Sequence, residues 1–158
     1  MKNKFTILGS GSSLGAPWIT NYWGKLKKKN KKNIRTRCCA HIQYGDLSIL
    51  IDTSPDIKKQ MLDNGINRLS AIIYTHEHAD QTAGIFEMRP FYWINKKKIN
   101  VYGNLRTIKK LIKSYTFCFY PRSGYKPIMT HKIINKKFTI KGRKKIIKIT
   151  PFEVSHGM

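Results

Sequence analysis

Residues 75–81, THEHADQ, place three side chains that commonly bind metal ions within five positions, directly after the apolar run 71–74. A short apolar run bounded by polar residues is typical of a buried strand. Side-chain direction repeats every two residues in extended backbone, so His76 and His78 are expected on one side of the chain. The pattern therefore predicts two converging imidazoles where a buried strand leaves its sheet. The alternative is a surface loop or a pair of buried, hydrogen-bonded histidines.

Two further residues extend this candidate metal site. Asp80 continues the alternation, and we expect its carboxylate to bind a second ion or to hold a water molecule as the catalytic residue. We choose His156 as the third ligand, because it follows a predicted strand and precedes a glycine as in a second strand-end loop. Three imidazoles leave one position of a tetrahedral ion for water, whose pKa falls to about 7 there. His41 and His131 are interpreted as ordinary polar residues.

Acidic residues are scarce and therefore informative. The chain has 31 Lys plus Arg against 8 Asp plus Glu, a formal net charge of +23, and lysine dominates the cations. Lysine has A/T-rich codons, so base composition can account for part of this charge, and charge alone does not favour nucleic acid as a ligand. Asp52 either fixes the histidine loop by accepting backbone N–H bonds or supports only a local turn. Asp56 is expected to cap the helix that follows.

Short apolar runs separated by turn signals predict an α/β or α+β layered domain over residues 1–158. Gly45 and Asp46 mark a hairpin turn. A helix is expected over 55–64, with Ser54 at its N-cap and Gly65 ending it, a second helix after the histidine turn, and an amphipathic helix over 105–115. Strands are expected over 4–8, 38–44, 47–51, 71–74, 99–102, 132–134, 137–140 and 145–150.

Several broad classes are disfavoured by composition. The apolar runs are far shorter than the roughly 20 residues that cross a bilayer, and the N-terminal region lacks a signal-peptide pattern. Three cysteines, two of them adjacent, form neither a disulfide framework nor a CxxC knuckle. We expect a cytoplasmic protein without membrane association.

The sequence resembles the metallo-β-lactamase superfamily, and within it the phosphoribosyl cyclic phosphate phosphodiesterases. The similarity lies in the Gly-Ser loop 9–17, in residues 33–38, in the Asp-Thr-Ser-Pro-Asp segment 52–56, and in the motif 75–80 followed by Gly84. The resemblance implies an αββα sandwich and hydrolysis of phosphodiesters with one or two zinc or manganese ions. By the same resemblance His76, His78 and His156 bind the first ion, Asp80 binds the second, and Asp52 braces the loop.

Two departures from the family pattern affect these expectations. Gln81 stands where the family commonly has a histidine, which weakens the second metal position. The later aspartate and final histidine of the family have no counterpart before Met158. We therefore expect the chain to supply mainly the first half of the sandwich, as a C-terminally truncated domain that is poorly stable alone. A shorter relative that closes its fold as a homodimer is the alternative.

The leading functional hypothesis is a metal-dependent phosphodiesterase that attacks a small anionic cyclic phosphate or related phosphodiester through metal-bound hydroxide. The main-chain amides of Ser10, Gly11, Ser12 and Ser13 either form a nest for the phosphate or make a plain turn. A transfer-RNA 3′ processing endonuclease is the runner-up, with nucleic acid a less favoured ligand. A non-catalytic basic binding module or inactive fragment is the third hypothesis.

Overall fold

A six-stranded mixed sheet forms the centre of the molecule. The computed structural model describes residues 3–155. The strands lie side by side in chain order, the first three antiparallel and the third to sixth parallel. They are β1 Lys4–Gly9, β2 Cys39–Tyr44, β3 Leu47–Ile51, β4 Ala71–Ile73, β5 Ile99–Gly103 and β6 Met129–Ile133.

Among the described residues, four of the five α-helices pack apolar side chains into a core on one face of this sheet. The main core consists of residues from alternate strand positions, such as Leu50, Ile72 and Val101, and of apolar helix residues. The amphipathic helix places Ile108 and Leu111 in this core, as its spacing predicts. The helices are α1 Ile57–Asp63, α2 Ala79–Thr82, α3 Arg89–Asn95, α4 Leu105–Ser114 and α5 Thr116–Phe119.

A separate hairpin of β7 Phe138–Lys141 and β8 Ile146–Ile149 packs on the opposite face. Ile140 is buried there with Leu47, Ile49 and Ala71. The hairpin does not cover the whole face, because Phe5 and Ile7 on β1 stay 61% and 67% exposed. Phe5 pairs with Ile42 across the strands, and Ile42 packs against this second core, so the Phe5 side chain lies on the same face of the sheet.

The first helix differs from its sequence prediction at its N-terminal end. It begins at Ile57, and Asp56, which occupies the N-cap position, makes no capping hydrogen bond through its side chain. The Asp56 carboxylate instead accepts a 2.9 Å hydrogen bond from the Arg37 main-chain N–H and pairs with the Arg37 guanidinium at 3.5 Å. The interpretation of Asp56 as a helix cap is therefore wrong, because a partner 19 residues away takes its carboxylate.

The second predicted helix is divided into α2, a 3-10 turn over Ile85–Met88, and α3. Gly84 lies at the first break, and its N–H donates to the Thr53 carbonyl at 2.9 Å. A Cβ at Gly84 would lie 2.2 Å from the Ser54 carbonyl oxygen. This close backbone approach ties the histidine loop to the end of β3. Within residues 3–155, no helix has both the length and the apolar character needed to span a membrane.

Candidate metal centre

The histidine segment lies at the carboxyl edge of the parallel strands. Asp52 follows β3, His76 follows β4 after two residues, and Asn104 follows β5 at the same edge. Ligand sites in parallel sheets form at this edge, because loops from several strands meet there. The sheet topology therefore brings together the Asp52 segment and the histidine loop, which are more than 20 residues apart in sequence.

Asp52 is buried and holds Thr75 by two hydrogen bonds. Its carboxylate accepts from the Thr75 main-chain N–H and from the Thr75 hydroxyl, each at 2.8 Å. Its backbone lies in the left-handed region, with φ +66°, a conformation that aspartate tolerates better than most residues. Burial raises the pKa of Asp52 to about 7, with a smaller contribution from the Asp80 charge, against the lowering effect of the Thr75 bonds. The buried carboxyl group of Asp52 is thus bound to Thr75, the residue that precedes His76 in the histidine loop.

The Thr75 hydroxyl connects this carboxylate to His76. Thr75 Oγ1 lies 2.9 Å from His76 Nδ1. When Asp52 is ionised it can only accept, so Thr75 donates to it and the Thr75 oxygen accepts from His76 Nδ1–H. This tautomer places the lone pair of the neutral His76 ring on Nε2. The rings of His76 and His78 are adjacent, with centroids 4.5 Å apart and planes at 75°.

Asp80 and its neighbours form the first turn after the histidines. The Gln81 side-chain amide donates to Asp80 Oδ2 at 3.0 Å and so orients the Asp80 carboxylate. The expectation that Gln81 weakens the second metal position stays a prediction. Thr82 donates its hydroxyl to the His78 carbonyl at 3.1 Å. The Gln81 carbonyl accepts the Thr53 main-chain N–H at 2.7 Å. The positions of Asp80 and His78 are therefore set by hydrogen bonds within α2 and to the end of β3.

The paired imidazoles suit a divalent ion chemically. A metal-bound histidine usually engages its second nitrogen with an oxygen group, and the bond between His76 Nδ1 and Thr75 has this form. Across residues 3–155, no three His, Cys, Asp or Glu side chains cluster closely enough to hold an ion. The third predicted ligand, His156, lies outside the described residues. The roles of His76, His78, Asp80 and His156 as metal ligands stay predictions.

The Gly-Ser loop has a packing function in the structure. A Cβ at Gly11 would lie 2.8 Å from the carbonyl oxygens of Arg35 and Thr36, so only glycine fits against this neighbouring segment. The Gly11 N–H donates to the Thr36 carbonyl at 2.8 Å, and Gly15 N–H donates to Ser12. One amide of the predicted anion nest is therefore already used. Phosphate binding by Ser10, Gly11, Ser12 and Ser13 stays a prediction.

Sequence reasoning missed a buried glutamine that supports this region. Gln60 of α1 donates to Thr36 Oγ1 at 2.9 Å and to the Arg37 carbonyl at 2.8 Å, and its carbonyl oxygen accepts from Ser54 at 2.9 Å. The sequence does carry a signal for this role, because Gln60 shares the buried side of α1 with the apolar residues Ile57 and Met61. Gln60 thus joins α1 to two other segments, the one that contains Thr36 and Arg37 and the one that contains Ser54.

Cys38 also belongs to this region. Partial burial raises the pKa of its thiol, and the Asp52 and Asp80 carboxylates add to the effect. Cys38 as a whole residue is exposed although its thiol is partly buried, whereas Cys39 and Cys118 are buried. All three cysteines are free, as the cysteine pattern predicts. His41 is buried against the Ser48 hydroxyl at 2.8 Å, and His131 lies exposed on β6.

Comparison with known proteins identifies the class. Residues 48–158 match the family described as Beta-lactamase superfamily domain. The chain belongs to this superfamily, and its mixed α/β architecture is that of the metallo-β-lactamase fold.

The chain is also similar to three individual proteins. It is 29% identical to a diphosphatase from the PhnP family, with a TM-score of 0.75 over 90% of this chain and 54% of that one. Zinc-bound PqqB from Methylobacterium extorquens shares the fold at 17% identity, with a TM-score of 0.63 over 85% of this chain and 50% of that one. An octanoyltransferase of Porphyromonas gingivalis is 27% identical over 152 residues, which are 96% of this chain and 30% of that protein. The chain thus spans about half of the two solved structures and under a third of the curated relative.

Proposed function

We propose that this chain belongs to a metal-dependent phosphodiesterase that hydrolyses a small anionic phosphodiester, such as a cyclic phosphate. The observation that carries the proposal is the histidine pair at the sheet edge, with His76 linked through Thr75 to buried Asp52. Similarity to a diphosphatase at 29% identity supports phosphate chemistry over other superfamily reactions.

His76, His78 and His156 would hold a zinc or manganese ion, and Asp80 a second ion or the reacting water. A bound divalent ion lowers the pKa of water and neutralises negative charge on a phosphate oxygen. The side chains around the ion would orient its ligands and determine which nitrogen of His76 carries the proton. When it is ionised, the Asp52 carboxylate, acting through Thr75, holds the proton of His76 on Nδ1 and so keeps Nε2 as the coordinating nitrogen.

Asp80 is the candidate proton acceptor for the reacting water. Its Oδ2 accepts from Gln81, which fixes the plane of the carboxylate and leaves Oδ1 for another donor. The neutral Gln81 amide adds no charge to the site. Geometry of this kind suits a base that orients a water molecule within hydrogen-bond reach.

The charge of the chain favours an anionic substrate over a cationic one. A formal net charge of +23 produces a positive field that raises the local concentration of phosphate compounds. This field does not distinguish a small phosphodiester from RNA. Substrate identity must therefore come from the shape of the site and from assay.

The test is hydrolysis of three substrates by the full-length protein loaded with zinc or manganese. The substrates are a ribose cyclic phosphate, a nucleoside diphosphate and a precursor transfer RNA. We expect cleavage of the cyclic phosphate, abolished in His78→Ala and retained in His131→Ala, which removes an exposed histidine from β6. Retained cleavage in His78→Ala contradicts the site assignment. Preferential cleavage of the RNA supports the endonuclease hypothesis instead, and binding of RNA without cleavage of any substrate supports a basic binding module.

A further inference from the structure

Glu77, the residue between the two histidines, is held by the first turn of α4. Its Oε1 lies 2.6 Å from Arg106 Nε, and its Oε2 accepts a longer hydrogen bond of 3.4 Å from the Thr107 hydroxyl. Both oxygens of one carboxylate therefore contact the same helical turn.

The helical turn that receives Glu77 is well fixed. Asn104 follows β5 directly and caps α4, with its side-chain oxygen accepting from the Thr107 main-chain N–H at 2.8 Å. Thr107 is fully buried. A carboxylate at the start of a helix is also favoured by the helix dipole. Glu77 is thus attached to a rigid element at the same sheet edge as the histidines.

The other contacts of the histidine loop come from different elements. Asp52, after β3, holds Thr75, and Thr82 of α2 holds the His78 carbonyl. Side chains alternate in extended backbone, so Glu77 is directed to the side opposite the two imidazoles. Its attachment to α4 fixes the main chain at the midpoint between the rings, where neither of the other contacts acts.

We propose that Glu77 and Arg106 form a positioning pair that sets the relative placement of His76 and His78, and through it the affinity of the site for a divalent ion. This inference rests on the proposed function. The Arg106 side chain is 83% exposed and the Glu77 side chain 15% exposed, so solvent reaches the pair from the arginine side. Ion pairs that solvent screens in this way contribute little to global stability. The pair therefore acts on metal affinity while leaving the stability of the metal-free protein nearly unchanged, which separates positioning from a general structural role.

The experiment measures the zinc affinity of the whole chain by competition with a chromophoric chelator. The variants are Glu77→Gln, Arg106→Gln and the double variant, and Lys110→Gln is the matched control, because it removes one exposed cation from the same helix. Partners that orient a metal ligand typically change affinity by 10- to 100-fold, and we expect about tenfold weaker binding in each single variant. We expect the double variant to match either single variant, since both remove one interaction.

Thermal unfolding with a chelator present serves as the second measurement. The inference predicts that all variants unfold, metal-free, at the wild-type temperature while Glu77→Gln and Arg106→Gln lose zinc affinity and Lys110→Gln does not. Wild-type affinity in both single variants contradicts the positioning role and leaves the proposed function standing, and so do additive losses in the double variant. Absence of zinc binding in the wild-type chain contradicts the proposed function itself and the inference with it.

Discussion

Asp52 accepts two hydrogen bonds from Thr75, one from the main-chain N–H and one from the hydroxyl, both at 2.8 Å. The same hydroxyl lies 2.9 Å from His76 Nδ1. A buried carboxyl group at the end of β3 is therefore joined through one side chain to a candidate metal ligand at the end of β4.

Replacement of Thr75 by valine keeps the size of the side chain and the main-chain bond to Asp52 but removes the link to His76. We expect zinc affinity to fall about tenfold, because the tautomer and orientation of His76 are no longer fixed. Thr130→Val is the control, since Thr130 donates to Asn100 within the sheet. Equal zinc affinities for the two variants, measured by calorimetry, would show that the hydroxyl link has no role.

The raised pKa of Asp52 predicts a pH dependence of stability in the metal-free protein. Burial, the largest cause, raises this pKa from 3.8 to about 7. The folded state then binds the proton more tightly than the unfolded state, so the stabilising contribution is complete below about pH 4 and is lost as the pH rises to about 7. The free energy of unfolding should therefore fall across this window by up to about 1.4 kcal/mol per pH unit from this group.

Asp52→Asn isolates this contribution. Asparagine tolerates the left-handed backbone of Asp52 and can still accept the Thr75 N–H. His41, whose pKa is lowered by burial and by Lys4, has the opposite effect, because its contribution is lost as the pH falls below about 6.5. The difference between the wild-type and Asp52→Asn urea-unfolding curves removes the His41 contribution. A difference that does not change between pH 4 and 7 would contradict the raised pKa.

Much of the fold follows from local sequence pattern. Ile108 and Leu111 at helical spacing predict the buried side of α4, and Gly45, with φ +57°, marks the hairpin turn between β2 and β3. The adjacency of His76 and His78 follows from alternation after a strand. These features depend on residues that are close together in sequence, so the local sequence pattern can predict them.

The contacts that assemble the site do not follow from local pattern. Asp56 pairs with Arg37 instead of capping α1, and Gln60 reaches the Arg37 carbonyl 23 residues away. The Gln81 side-chain amide orients the Asp80 carboxylate, a contact that the sequence does not predict. Each of these polar residues can satisfy its hydrogen bonds in several ways, and only the packed arrangement of the strands decides which partner it meets.

Gln60→Met tests the buried hydrogen bonds between α1 and the segments that border the site. The substitution keeps the approximate volume but leaves Ser54, Thr36 and the Arg37 carbonyl without the bonds they make to Gln60. We expect a loss of about 2 kcal/mol or more in the free energy of unfolding, since each buried group left unsatisfied costs about 1–3 kcal/mol. Lys58→Gln, on the exposed side of the same helix, should change stability by less than about 0.5 kcal/mol. Similar losses in both variants would count against the Gln60 contacts.

Asp46→Ala tests the contact that closes the β7–β8 hairpin over the second face of the sheet. The Asp46 carboxylate accepts main-chain N–H bonds from Arg143 and Lys144 in the turn of that hairpin. Its loss should speed amide hydrogen exchange in β7 and β8 while leaving β3 to β5 protected. Asp63→Ala removes an exposed carboxylate that pairs with Lys59 and should leave the hairpin unaffected. Unchanged exchange in the Asp46 variant would show that apolar packing alone holds the hairpin.

Zinc binding by the whole chain tests most directly whether the histidine loop is a metal centre. Isothermal titration is compared for the wild type, His76→Ala, His78→Ala and the exposed control His131→Ala. We expect zinc binding by the wild type and by His131→Ala. Affinity should fall about a hundredfold or more in the other two variants, because removing a ligand costs more affinity than removing the partner that orients it. Equal zinc affinity in all four proteins, or no binding by the wild type, would contradict the assignment of the histidine loop as a metal centre.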